Sequence, residues 1–218
     1  MSLISQLTLR RFRCFESLRY EPCPGLNFIV GPNAQGKTSI LEAACVLLRL
    51  RSPRTANAGE IVQFGETAFA VEGMVTGQRD ETRLSLTVTP PTRSLKLDGV
   101  SQSSSTDYLS KGRIVWFGSE DLSLVHGSAE GRRKLLDSAG LQIAGTYGRD
   151  LKSHDRALRS RNLLLREGKP RREIEAYDIP LAEAGERILN ARRALVDSLA
   201  PIATESCRMI SGETLELA

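Results

Sequence analysis

The residues best suited to chemistry lie together between positions 31 and 38. Gly31-Pro32-Asn33-Ala34-Gln35-Gly36-Lys37-Thr38 fits the pattern G-x-x-x-x-G-K-[ST] at every fixed position. That pattern cradles phosphates. Gly31 and Gly36 allow the tight backbone path that turns N–H groups toward a phosphate chain. The start of the following helix adds its partial positive charge. Lys37 is the expected ligand of the β- and γ-phosphates, and Thr38 the expected hydroxyl ligand of Mg²⁺. The ligand read from these residues is a nucleoside triphosphate with Mg²⁺, ATP above all.

Hydrolysis needs more than a cradle. A carboxylate at the end of a second apolar strand would have to hold the metal through water and help place the attacking water. The run Ile114-Val115-Trp116-Phe117 is the best match for such a strand, yet its acids arrive only at Glu120 and Asp121. Half of a complete ATPase site is therefore not found in these residues.

The cradle needs a strand before it and a helix after it. Leu26 to Val30 is a short apolar run that stops at Gly31. Lys37 to about Leu50 reads as a helix, with Ile40, Leu41, Ala44, Leu47 and Leu48 at helical spacing. Upstream, Leu3, Leu7 and Leu9 share one side of an alternating strand. Downstream, 67–97 reads as an antiparallel meander, with Phe69 and Val71, then Leu84, Leu86 and Val88, on alternating positions and turns at Pro90-Pro91 and Asp98-Gly99. Gly99 to Thr106 is rich in serine and reads as a mobile loop, and Ile114 to Phe117 as one more buried strand.

Beyond Ser128 the chain becomes charged and helical. Leu151, Leu158 and Leu165 recur every seven residues. Tyr177, Leu181, Ala184, Ile188, Ala191 and Leu195 recur at alternating four and three. Gly168 and Pro170 interrupt this seam, and Pro180 suits a helix's first turn. Two helices folding back on each other are expected. Residues 130–175 carry twelve Lys/Arg against seven Asp/Glu, an excess of five against four for the whole chain. DNA-backbone contacts are expected here, with a solvated, ion-paired helix face as the alternative.

The 218 residues are 40% hydrophobic and 26% charged, with a pI near 9.0, as in an ordinary globular chain with a mild taste for polyanions. Cys14, Cys23, Cys45 and Cys207 form no metal-ligand spacing, and the start carries no signal-peptide pattern. No apolar run approaches a membrane span. A soluble, cytoplasmic protein is expected.

Several blocks together resemble the RecF family, and more loosely SMC-type repair ATPases. They are Leu7-Thr8-Leu9-Arg10-Arg11-Phe12-Arg13; Asn33-Ala34-Gln35-Gly36-Lys37-Thr38 with Leu41-Glu42-Ala43; Arg51-Ser52-Pro53-Arg54-Thr55; Glu60-Ile61-Val62 with Phe64-Gly65; Glu120-Asp121-Leu122; and Arg132-Arg133-Lys134-Leu135-Leu136-Asp137. The resemblance implies an α/β fold: an ABC-type P-loop ATPase head, its sheet mixed and carrying an antiparallel meander, with a helical second lobe. It implies an ATP-dependent DNA-binding protein of recombinational repair and replication, acting at single-stranded and gapped double-stranded DNA with RecO and RecR to help RecA load, and forming an ATP-dependent homodimer. It also suggests that Arg11, Arg13 and Arg54 approach nucleotide or DNA, and that Glu120 senses the metal and γ-phosphate.

Family members run on for more than a hundred further residues, which carry an L-S-x-G-Q-like signature and the second acidic strand. An incomplete chain with little ATP turnover is thus expected. Its organisation would be 1–140 as the first portion of the head, 141–207 as a helical arm, and 208–218 as the start of a returning strand. Ala34 stands where many members carry glycine. Two other readings remain: a P-loop kinase of small molecules, and a non-catalytic nucleotide-binding fragment.

Overall fold

Leu7 and Leu9 lie on one side of an extended chain, and strand β1 (Leu3–Phe12) buries both. A bulge between Ile4 and Gln6 breaks the alternation, so Leu3, expected on the same side, is half exposed. β1 turns back into β2 (Phe15–Tyr20) through Arg11 and Arg13, both at positive φ.

In this computed structural model residues 3–77, 80–143 and 145–212 are described. They fall into two compact units, Met1–Gly118 and Ser119–Ala218. The first is built on a six-stranded antiparallel sheet. The expected meander is present as β3 (Phe69–Thr76), β4 (Glu81–Thr89) and β5 (Thr92–Leu97), with a short β6 (Val100–Ser101) at the edge and the order β2-β1-β3-β4-β5-β6. Alternation in β3 and β4 sends Phe69, Val71, Val75, Leu84, Leu86 and Val88 to one face.

Helix α1 (Lys37–Arg49) lies on that face. Its buried stripe is Ser39, Glu42, Ala43, Val46 and Leu47, whereas Leu41, expected in the core, is 51% exposed. The approach is close at Gly73. A Cβ there would stand 2.5 Å from Leu47 Cδ2 and 3.1 Å from the Gln6 carbonyl oxygen. Phe12 meets Phe69 edge to face, with ring centroids 5.4 Å apart.

Three expectations are corrected. Leu26–Val30 and Ile114–Phe117 are not buried strands. Neither pairs in a ladder, and Phe28, Val30, Val115 and Phe117 are between 78% and 92% exposed. Both runs have strand-like composition, but neither is one of the six strands of the sheet. The serine-rich stretch is not simply a loop. It contains β6, and Ser104 caps helix α2 (Ser105–Ser110), its Oγ accepting from the Thr106 N–H at 3.2 Å.

The second unit is helical: α3 (Ser123–His126), α4 (Ala129–Ile143), α5 (Tyr147–Arg166), α6 (Arg171–Glu175) and α7 (Asp178–Ser211). α5 and α7 pack antiparallel, the expected pair of helices. On α7 the seam residues Ala184 and Ile188 are buried, whereas on α5 the buried position is Ala157 and the heptad residues Leu158 and Leu165 are exposed. Ion pairs fix the register of the two helices, Arg161 to Asp178 at 2.7 Å and Arg187 to Asp150 at 2.8 Å, with His154 facing Gly185 between them. Arg192 grips Asp137 on α4 with two hydrogen bonds, and Tyr147 donates to the same carboxylate at 2.5 Å. α7 continues through residues 208–211, where a returning strand was expected to begin; 213–218 lie outside the described residues.

Candidate phosphate-binding site

α1 begins where a phosphate site would need it to begin. Its N-cap is Gly36, at φ 86°, with no side-chain cap and no acid in the first turn. The first amides of the helix are therefore met by no side-chain acceptor of their own turn. Gly36 also touches the back of the loop. A Cβ there would come within 2.5 Å of the Phe15 ring and 2.6 Å of Cys14 Sγ. Both the left-handed backbone and the packing require glycine.

Ala34 is likewise left-handed, at φ 63°. A side chain at such a position costs about 1–2 kcal/mol, so the loop holds its shape here against a local strain. Lys37 folds back over the loop, its Nζ donating to the carbonyl oxygens of Gly31 at 2.8 Å and Pro32 at 2.6 Å. Thr38 is exposed beside it, and Ser39 is buried beneath. Asn33, Ala34, Gly36, Lys37 and Thr38 line an open cleft of about 990 Å³. Pro32 and Gln35 are exposed in the same loop.

The opposite wall holds a charged cluster that motif spacing did not single out. Glu42 is fully buried, one turn and a half along α1 from Lys37. Arg13 donates to it from Nε at 3.0 Å and from its second guanidinium nitrogen at 2.7 Å, Arg54 donates at 3.1 Å, and Ser52 Oγ at 2.6 Å. Burial alone would push the carboxyl upward. The hydrogen bonds from Arg13 and Ser52 and the charges of Arg13 and Arg54 outweigh it and hold Glu42 below its ordinary value.

Arg13 also donates to the Glu60 carbonyl at 2.6 Å, tying β1 to the 58–60 turn. Arg13 and Arg54 reach the cleft together with Gln63, Phe64 and Glu66. Arg11, the third arginine expected near a ligand, pairs instead with Glu66 at 3.3 Å. Phe64 is fully exposed. The signal for Glu42 was available in the sequence: an acid on the same helical stripe as Ala43, Val46 and Leu47 must find cations.

The side chain of Glu120 lies outside the described residues. Among the described residues no group of His, Cys, Asp and Glu could hold a metal by itself. No described helix is long and apolar enough to cross a membrane. The four cysteines are free thiols, with Cys45 buried.

Comparison with known proteins agrees with this geometry. A family model described as an AAA domain matches residues 6–138. The DNA replication and repair protein RecF of Anaeromyxobacter sp. (strain Fw109-5) is 38% identical over 213 residues, 97% of this chain and 57% of that protein. RecF of Myxococcus xanthus (strain DK1622) is 36% identical over 96% of this chain and 56% of its own length. The chain thus spans a little over half the length of the curated relatives it matches.

Among solved structures, the recombination mediator protein RecF with ATP, from the RecFOR pathway, aligns with a TM-score of 0.90 at 30% identity, covering 97% of this chain and 58% of that one. The Smc head domain of Pyrococcus furiosus, solved with an extended coiled coil, shares the fold at a TM-score of 0.52 and 19% identity, over 94% of this chain and 60% of its own. The chain belongs to the AAA domain family and resembles RecF proteins over nearly its whole length.

Proposed function

We propose that this chain is the ATP-binding part of a RecF-type DNA repair protein. The carrying observation is the loop 31–38 opening an uncapped α1, with Lys37 and Thr38 at its mouth and Arg13 and Arg54 across the cleft. The residues present suit a triphosphate. The first amides of α1 supply donors, and Lys37 supplies a charge that now rests on two carbonyls and can exchange them for phosphate oxygens. Thr38 suits Mg²⁺, which binds through few protein oxygens plus phosphates and needs no carboxylate cage. The triphosphate would supply binding energy that orders the loop and the arginine wall.

The Glu42 carboxylate keeps Arg13 and Arg54 in place beside the cleft. This favours a site that reads phosphate charge over one that activates water, since Glu42, buried beside it, is occupied by three donors. Association with single-stranded and gapped DNA, cooperation with RecO, RecR and RecA, and pairing of two copies around ATP extend this reading from the RecF relatives. Gly31, Pro32, Asn33, Ala34, Gln35, Gly36, Lys37 and Thr38 form the nucleotide subsite in this reading. A small-molecule kinase is disfavoured by the antiparallel sheet that carries α1 and by the charged helical second unit.

The test is DNA binding by fluorescence anisotropy with and without Mg²⁺-ATP, for the wild-type chain and Lys37→Ala. Binding strengthened by ATP in the wild type and indifferent to ATP in the variant is expected. ATP-independent binding in both would separate the DNA function from this site.

A further inference from the structure

Asp150, His154, Ala157 and Arg161 turn toward the rest of the second unit, so the other side of α5 faces solvent. Successive residues turn by 100° around the helix. Arg149, Lys152, Arg156, Arg159 and Arg166 therefore fall within one stripe about 100° wide, opposite Tyr147, Leu151, His154 and Arg161, the residues turned toward the partner helices. All five are exposed. Asp155 borders this face and pairs with Arg159 at 3.4 Å, and Glu167, at its C-terminal end, pairs with Lys169 at 3.7 Å.

The remaining four, Arg149, Lys152, Arg156 and Arg166, make no side-chain hydrogen bond or ion pair among the described residues. Other basic residues of this unit, Arg161, Lys169, Arg171, Arg187 and Arg192, each hold an acid. Part of the charge excess along 130–175 is thus neutralised within the unit, while four cations of one outward stripe are left for an outside partner.

We infer that the outward stripe of α5 is a docking surface for the sugar-phosphate backbone of DNA. This rests on the DNA-repair reading above and assigns that binding to a particular helix face. The occupant is argued from charge and shape. The stripe runs from residue 149 to 166, about 25 Å along the helix axis at 1.5 Å per residue. A duplex presents about seven base pairs over that length, with phosphates on both strands. Exposed cations along a rigid rod, Arg149, Lys152 and Arg156 toward one end and Arg166 at the other, suit such a polyanion. The stripe offers no large apolar anchor beyond the half-exposed Leu163, the kind of feature a folded protein partner would use. Contacts of this kind position the chain and carry no sequence preference.

The test uses the full chain and a fluorescent duplex bearing a single-stranded gap. Affinity is measured between 50 and 200 mM salt. In the quadruple variant Arg149→Gln, Lys152→Gln, Arg156→Gln, Arg166→Gln, the slope of log affinity against log salt should fall in magnitude by about 3–4. ATP binding and helical circular dichroism should stay at wild-type values, which shows that the fold is intact. A charge-keeping variant, Arg149→Lys with Arg156→Lys and Arg166→Lys, should keep the wild-type slope.

Removing Arg83 and Lys96, exposed on the sheet of the first unit, should leave most of the slope in place. If the wild type binds DNA and the quadruple variant keeps its slope, the stripe is not the surface and the repair reading stands. An equal loss per charge from the sheet variant would also overturn the assignment. If the wild type shows no salt-dependent binding, the repair reading fails and the inference with it.

Discussion

Glu42 carries more of the site than its place in a motif suggests. It is buried among Arg13, Arg54 and Ser52. Removing its charge would leave two cations without their acid, a loss on the order of 3 kcal/mol. Glu42→Gln should lower the urea midpoint accordingly and weaken ATP binding through a less ordered arginine wall. Because its pKa is held down in the folded chain, its contribution is present above its ordinary value of 4.5 and fades as pH falls below it. Wild type should therefore lose stability more steeply than Glu42→Gln on acidification below about pH 4.5, as chemical denaturation at stepped pH would record.

Two further residues give smaller signals. Ala34→Gly should relieve the left-handed alanine, with a gain of up to about 1 kcal/mol after glycine's greater freedom when unfolded is subtracted. Tyr108 is buried and its hydroxyl meets no partner among the described residues, so Tyr108→Phe should be neutral or slightly stabilising in a thermal melt.

At the scale of elements, the clearest sequence signals were local. The fixed glycines, Lys37 and the aliphatic spacing announced α1, and strict alternation at Phe69, Val71, Leu84 and Leu86 announced β3 and β4. These patterns need only the segment itself to be read. Leu26–Val30 and Ile114–Phe117 were read wrongly for the opposite reason. Apolar composition says that a segment wants burial, but a strand exists only beside another strand, and its own residues cannot name that partner.

Leu41 shows a subtler limit. It sits at helical spacing with Leu48, yet the stripe that packs runs through Glu42, Ala43, Val46 and Leu47 and leaves Leu41 half exposed. Glu42 itself was legible only once its neighbours at Ala43, Val46 and Leu47 were seen to be core. The α5–α7 pairing was half legible: the spacing marked Ala184 and Ile188 on α7, but on α5 Ala157 is buried instead of Leu158 and Leu165, because the ion pairs across the seam fix the alignment. Asp137→Ala should cost about 1–3 kcal/mol by leaving the largely buried Arg192 and the Tyr147 hydroxyl without their acceptor, seen as an earlier loss of helical signal on heating.

Across the whole molecule, the phosphate loop, its arginine wall and the sheet that carries them all lie within Met1–Gly118, while the free basic stripe lies within Ser119–Ala218. The proposed ATP and DNA surfaces thus fall in different units of one chain. The resemblance to RecF rested on blocks spread through both units, and the comparisons bear it out along 97% of the chain. The chain spans 57% of the Anaeromyxobacter relative and 58% of the ATP-bound RecF chain.

The most direct measurement of the central proposal is equilibrium binding of ATP to this chain by titration calorimetry, with and without Mg²⁺. The expected result is one ATP per chain, tighter with Mg²⁺ than after chelation. Lys37→Ala should weaken it roughly 10- to 100-fold, as befits a lost charge-assisted contact. An ATP affinity unchanged by Lys37→Ala, or no heat of binding from the intact folded chain, would contradict the assignment of Gly31 to Thr38 as its nucleotide site.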